Sequence, residues 1–331
     1  MFYGFDPRFR EIPGTSSPLE LREMIQQPFQ FIESRFKKHG PIFRSSILYP
    51  CVWMIGAEAN RAIMVTEREK FSYKGGYGQL AFGRLFEHNI LVMDGEEHQR
   101  ARSILEPAVS KIGLENVRDL VQDIWTRHAA AFKEDSSVDV YQVAQRATYE
   151  VSARALAGLV DSDEVEELRP YFEAVIEGAM AHTQHRIPGG ILDKALKARQ
   201  VLIKRLMPYV KKARDGGSAG VIGLLADYRD ENGKGLPDEE ILHHALLLYW
   251  AGYDTTASAG SWVLHLLAHH SSWQNRMREE IFEVLGDRDY QLEGSSKLKT
   301  VSWFLREVER CGPSLFMFPR TAAEDIEFQG Y

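Results

Sequence analysis

Apolar residues recur every three to four positions along most of the 331-residue chain, the period of helices with one buried face. Residues 18–38 place Leu19, Met24, Phe29, Ile32 and Phe36 on approximately one face, with Pro28 positioned to kink the helix. Further helices are predicted at 57–66, 95–108, 114–133, 141–159, 162–181, 191–214, 219–229, 271–285 and 300–311. Gly113, Asp161 and Pro188-Gly189-Gly190 are among the breakers between them. The segments "IFRSSILY" and "CVWMIG", separated by Pro50, together with 316–330, have the short β-rich character of a minor sheet. The aromatic, glycine-rich stretch 71–92 reads mostly as loop. The pattern predicts a mainly α fold, a single domain over residues 1–331 with a small β-sheet.

The longest predicted helix is the most unusual. From Asp238 to His270 nothing stops it, a span of about 50 Å at 1.5 Å per residue. A helix so long and so apolar belongs in the middle of a large domain. Inside it, "ALLLYWAGYDTT" (245–256) runs from apolar residues into a glycine, an aspartate and two threonines. Gly252 costs about 1 kcal/mol relative to alanine in a helix interior. Thr255 and Thr256 can bond back to carbonyls a turn earlier and bend the helix. A buried carboxylate at Asp254 costs several kcal/mol unless it is partnered or used. Either a kink with satisfied hydroxyls or a polar notch facing a cavity accounts for this stretch.

Composition narrows the class. A content of 44% hydrophobic residues supplies a sizeable core, and a net charge of −7 gives no basic footprint for nucleic acid. Cys51 and Cys311 are the only cysteines, which suits free thiols in a reducing compartment. The N-terminus has no signal-peptide pattern, and no run approaches the roughly 20 apolar residues of a membrane span. The chain therefore reads as soluble and cytoplasmic. Neither G-x-x-x-x-G-K-[ST] nor G-x-G-x-x-G occurs, so no nucleotide site of its own is expected. The histidine pairs His182/His185, His243/His244 and His269/His270 lack the further ligands of a tetrahedral metal site and read as surface or core histidines.

Three other features stand out. His98 and Arg102 lie four residues apart, on one helix face that suits an anion. Glu307 and Arg310 are spaced to pair on a later helix, and Arg320 lies in the apolar run "LFMFPRTA", where it needs an anionic partner or an exit to solvent. In order and spacing, these features and Ala251-Gly252-Tyr253-Asp254-Thr255-Thr256 resemble the cytochrome P-450 family of haem-thiolate monooxygenases over essentially the whole chain. The resemblance is to soluble bacterial-type members. It implies haem b as cofactor, with His98, Arg102 and Arg320 on its propionates and Glu307–Arg310 as a structural pair. Ala251 and Gly252 would leave room for dioxygen, Thr255 would hold water or oxygen, and Asp254 would relay protons.

One family element is missing. The axial cysteine sits in F-x-x-G-x-x-x-C-x-G, roughly a hundred residues beyond the E-x-x-R pair, whereas 21 residues follow Arg310 here. No metal ligand is therefore assigned, and the chain reads as a C-terminally truncated member. The alternative is a haem-free, P-450-like binder of apolar ligands or a partner protein without oxygenase activity. The resemblance further implies a lipophilic substrate (isoprenoid, retinoid-like or fatty-acid-like) lined by Tyr77, Phe82, Phe86 and Tyr249, with Met180 nearby. It also implies dioxygen as co-substrate and electrons from a ferredoxin- or flavin-type donor.

Overall fold

The computed structural model describes residues 7–331 except 16, 18, 48, 87, 131, 134–136, 180, 182–184, 217–219, 287 and 289–291, so Met180 and His182 lie outside the described residues. The chain divides into two compact units, residues 1–76 with 320–331, and residues 77–319.

In the first unit, helices α1 (Glu20–Gln26) and α2 (Pro28–His39) replace the single kinked helix of the sequence pattern. Pro28 is the first residue of α2, where its missing N–H costs nothing and its fixed φ suits a helix start. Strands β1 (Ile42–Ser46) and β2 (Pro50–Met54) form an antiparallel hairpin in which Phe43 pairs with Trp53. Their rings stack at 5.9 Å and 14°, and Phe43 is fully buried. Helix α3 (Ala57–Arg61) continues into a π-helical turn at Ala62–Thr66.

The expected sheet needs correcting. The C-terminal segment does not join the 42–54 hairpin. Instead β4 (Thr321–Ala322) pairs antiparallel with β3 (Phe71–Ser72), just ahead of helix α4 (Tyr73–Tyr77). After β4 the chain forms no further strand, and Phe328 and Tyr331 close a turn through backbone bonds in both directions.

The second unit is helical. Its elements are α5 (Ala81–Leu85), α6 (Gly95–Val109), α7 (Lys111–Ala129), α8 (Val140–Ala155), α9 (Ser162–Ala179), α10 (Ile191–Arg214), α11 (Gly220–Asp227), α12 (Asp238–His269), α13 (Ser271–Leu285) and α14 (Lys299–Cys311). Polar residues set several starts. The Ser110 side chain accepts from Gly113 N at α7, and Asp139 accepts from Tyr141 N and Gln142 N at α8. Asp161 does the same at α9, accepting from Asp163 N at 2.7 Å. The stretch 71–92, expected as loop, contains α4, α5 and a 3-10 turn at Ile90–Val92. These helices are one to two turns long, too short to show a hydrophobic period.

Helix α12 organises the second unit. All 32 of its residues are helical, and it packs against α8, α10, α11, α13 and α14. Ile241, Leu242, Ala245, Leu246 and Leu247 are buried in its first half. Each fully buried leucine or isoleucine contributes about 1.5–3 kcal/mol of transfer free energy. Arg100 on α6 donates to Glu240 Oε1 at 2.8 Å and ties α6 to the first turn of α12. The His244 ring, 3.8 Å from that carboxylate, and the Arg100 guanidinium hold the Glu240 pKa down at about 2 against its burial. At the far end Phe304 and Val308 of α14 pack with Met277, flanked by Trp262 and Leu266.

Gly312, just after α14, lies on the Trp262 ring so closely that a Cβ would stand 2.4 Å from the indole. Gly312→Val is therefore expected to lower unfolding free energy by about 1–3 kcal/mol, as overpacked sites do. Urea denaturation of the two proteins measures it, and equal midpoints would contradict this seating of α14.

Candidate functional site

The residues from Ala251 to Thr256 form one turn and a half near the middle of α12. The Thr255 hydroxyl donates to the Ala251 carbonyl at 2.6 Å, one turn back. The Thr255 carbonyl in turn accepts from the Ser314 hydroxyl at 2.8 Å. Both polar groups of Thr255 are thus engaged, one inside the helix and one by the segment that follows α14. The helix itself continues unbroken, so the local opening that two threonines could cause does not interrupt it.

Asp254 departs from expectation. It is not buried in the core but reaches the surface, where the Tyr141 hydroxyl at the first turn of α8 bonds to its carboxylate. The protein around the carboxyl nonetheless pushes its pKa up from the ordinary aspartate value, and the Tyr141 bond offsets this in part. Gly252 turns toward α8. A Cβ there would stand 3.3 Å from Leu156 Cδ1 and 3.9 Å from Ser152 Oγ, so the close approach of α8 accounts for the glycine.

His98 and Arg102 occupy successive turns of α6, His98 half-buried and Arg102 exposed. Arg310 holds Glu307 through two bonds, Nε to Oε2 at 2.8 Å and Nη2 to Oε1 at 2.6 Å. Both side chains are more than half exposed, so the pair adds little to stability in this chain. Arg320, in the first unit, lies immediately before β4 and not within a strand; its guanidinium sits over the Tyr73 ring, 3.6 Å from the centroid.

Of the four expected pocket residues, three come together. Phe82 lies 5.4 Å from Tyr77 and 4.8 Å from Phe86, and Trp250 of α12 completes the cluster at 4.8 Å from Phe82 and 5.6 Å from Phe86. Tyr249 does not belong to it. Its ring lies 3.9 Å from that of Phe172, tilted by 32°, with Tyr149 and Tyr253 adjacent, so it faces the core between α8, α9 and α12. Trp250 is the residue the sequence reading missed. Its signal was its place directly before Ala251.

The fold and the turn at 251–256 define a helical protein built around a central helix with a hydroxyl-bearing notch. The chain belongs to the cytochrome P-450 family, whose model matches residues 15–331. It is 27% identical to abscisic acid 8'-hydroxylase 1 of Arabidopsis thaliana over 92% of this chain and 65% of that one. It is 26% identical to taxane 13-alpha-hydroxylase of Taxus cuspidata over 92% of this chain and 65% of that one. The chain thus spans about 65% of the length of these curated relatives. Among solved structures, retinoic-acid-bound cyanobacterial CYP120A1 superposes with a TM-score of 0.83 at 26% identity, covering 97% of this chain and 74% of that one. Among the described residues no helix is long and apolar enough to cross a membrane, and no three His, Cys, Asp or Glu side chains group as metal ligands.

The raised pKa of Asp254 has a defined consequence. An acid whose native pKa lies above its unfolded value binds more protons when folded, so stability falls as pH rises through that window. Asp254→Asn is expected to leave the melting temperature unchanged at pH 3 and to raise it at pH 7. Scanning calorimetry at both values measures it, and a lower melting temperature at pH 7 would contradict the assignment.

Proposed function

We propose that these residues form the oxygen-side and propionate-binding parts of a haem-dependent monooxygenase. In this reading it hydroxylates a lipophilic small molecule, using dioxygen and electrons from a ferredoxin- or flavin-type donor. The observation that carries the reading is the Thr255 hydroxyl bonded to the Ala251 carbonyl at 2.6 Å, with Asp254 beside it, directly after the apolar run 245–251 of the central helix.

The donor chemistry fits haem b in part. His98 and Arg102, on one face of α6, offer N–H donors suited to its carboxylates. The iron ligand is not among these residues. Burial pushes the Cys51 thiol up to about 11, so it stays protonated at neutral pH. The Cys311 sulfur engages Glu307 and Arg310 on its own helix.

When bound, haem supplies the activation of dioxygen. The protein's part is proton delivery and exclusion of water. The Thr255 hydroxyl can exchange its internal bond to Ala251 for one to a water or oxygen, because the same carbonyl then reverts to its helical partner. Asp254 reaches solvent, and its surroundings push its pKa up from the ordinary aspartate value, the direction that suits a carrier of protons. Ser314 fixes the Thr255 backbone while the side chain turns. Phe82, Phe86 and Trp250 form an apolar wall, with Phe82 and Phe86 buried, that an apolar substrate would displace or line. The names of the relatives, hydroxylases of abscisic acid and of taxanes, and the retinoic acid bound to CYP120A1 favour an isoprenoid-like substrate.

Titration with hemin tests the binding half of this reading. Two charge-assisted contacts are worth about 1.5–3 kcal/mol each. Hemin is therefore expected to bind at least about tenfold more tightly than its dimethyl ester, and His98→Ala/Arg102→Ala is expected to shrink the difference. Equal affinities in the unmodified protein would overturn the assignment of these side chains.

A further inference from the structure

Away from the 251–256 turn, a cleft of about 300 Å³ opens between α10, α12 and the loop after α5, lined by His88, Arg199, Ile203, Glu239, Leu242 and His243. Three nitrogen-bearing side chains converge there from three separate elements. Arg199 Nη2 donates to His243 Nε2 at 2.9 Å. A guanidinium can only donate, so that ring nitrogen carries no proton and the imidazole is neutral. The His88 ring lies parallel to that of His243, with centroids 6.0 Å apart and 12° between planes. His88 reaches this position with φ at +57°, in the left-handed region that few residues other than glycine adopt.

We propose that this cleft binds a single oxyanion, a phosphate-, sulfate- or carboxylate-type group, and that binding takes up a proton at His243. Arg199 occupies Nε2 of His243, and a proton there would face the guanidinium directly. An oxyanion placed among Arg199, His88 and His243 reverses this. The guanidinium turns N–H donors to the anion, Nε2 takes a proton from water, and both imidazoles become donors to the same group. Ile203 and Leu242 form an apolar shoulder that suits an alkyl stem on the ligand.

The charges around His243 set the pH dependence. Burial, then Arg199 on α10 and His88 in the loop, hold its pKa below the ordinary histidine value; His244 on α12 acts in the same direction, and Glu239 opposes them. Among the described residues Glu239 is the one carboxylate lining the cleft, and it competes with an incoming anion. None of the six lining residues belongs to the 251–256 turn or to the cations assigned to haem, so the proposal stands or falls separately from the monooxygenase reading.

Isothermal titration calorimetry of the 331-residue protein tests it, with sulfate, whose charge is constant over the range, and with octanoate. Uptake of one proton tightens binding by at most tenfold per pH unit, so affinity at pH 6.0 is expected to exceed that at pH 7.5 by about 5- to 30-fold. Arg199→Ala is expected to weaken binding at least tenfold. Glu239→Gln is expected to tighten it severalfold, a gain that misfolding cannot produce. Preference for sulfate assigns the cleft to a free inorganic oxyanion, and preference for octanoate by tenfold or more assigns it to an acid with an apolar stem. Absence of binding at pH 6.0, equal affinity at the two pH values, or an affinity that Glu239→Gln leaves unchanged would overturn the proposal.

Discussion

Everything in the second unit follows from the need to bury α12. A helix of 32 residues with apolar groups on most of its circumference cannot sit on a surface, and so α8, α10, α11, α13 and α14 enclose it. Close packing on all sides demands small residues where neighbours approach. Gly252 meets Leu156, just after α8, and Gly260 meets Ala144 and Trp125. It also demands that polar groups find partners within reach. Thr255 finds Ala251 and Ser314, and Asp254 finds Tyr141 and solvent. A hydroxyl with an intrahelical partner can stay in an apolar helix at small cost and still be released when a better acceptor arrives.

Helices were the most legible part of the sequence. Their periods were long enough to read, and Asp161 and the Pro188-Gly189-Gly190 turn marked their limits by known chemistry; Gly113, read as a breaker, lies inside α7, whose start Ser110 sets. The small sheets were not legible. A strand of two residues such as Phe71–Ser72 carries no alternation, and its partner lies about 250 positions away, so only the fold brings Thr321 to it. Length failed in the other direction at Pro28, where a proline read as a kink proved to be a helix start.

The site shows a finer limit. Tyr249 and Trp250 are adjacent aromatics in a helix that is apolar all round, and periodicity cannot choose a face when every face is apolar. Position along the helix decides it: a rotation of 100° per residue sends Tyr249 to Phe172 and Trp250 to Phe82. The contribution of Ser314 was likewise hidden, because its bond to Thr255 spans 59 positions of sequence and leaves no local pattern. The placement of Asp254 was not legible. The sequence places a carboxyl in this helix, but not its exposure or its Tyr141 neighbour on α8, which only the packing of the two helices sets.

The central claim is that the 251–256 turn faces haem iron. Paramagnetic broadening measures this directly in protein labelled with [15N]threonine and titrated with hemin. The account predicts that the amide signals of Thr255 and Thr256 vanish with ferric hemin and persist with zinc protoporphyrin, while those of threonines remote from α12 are unaffected by either. Sharp Thr255 and Thr256 signals in protein saturated with hemin would contradict it.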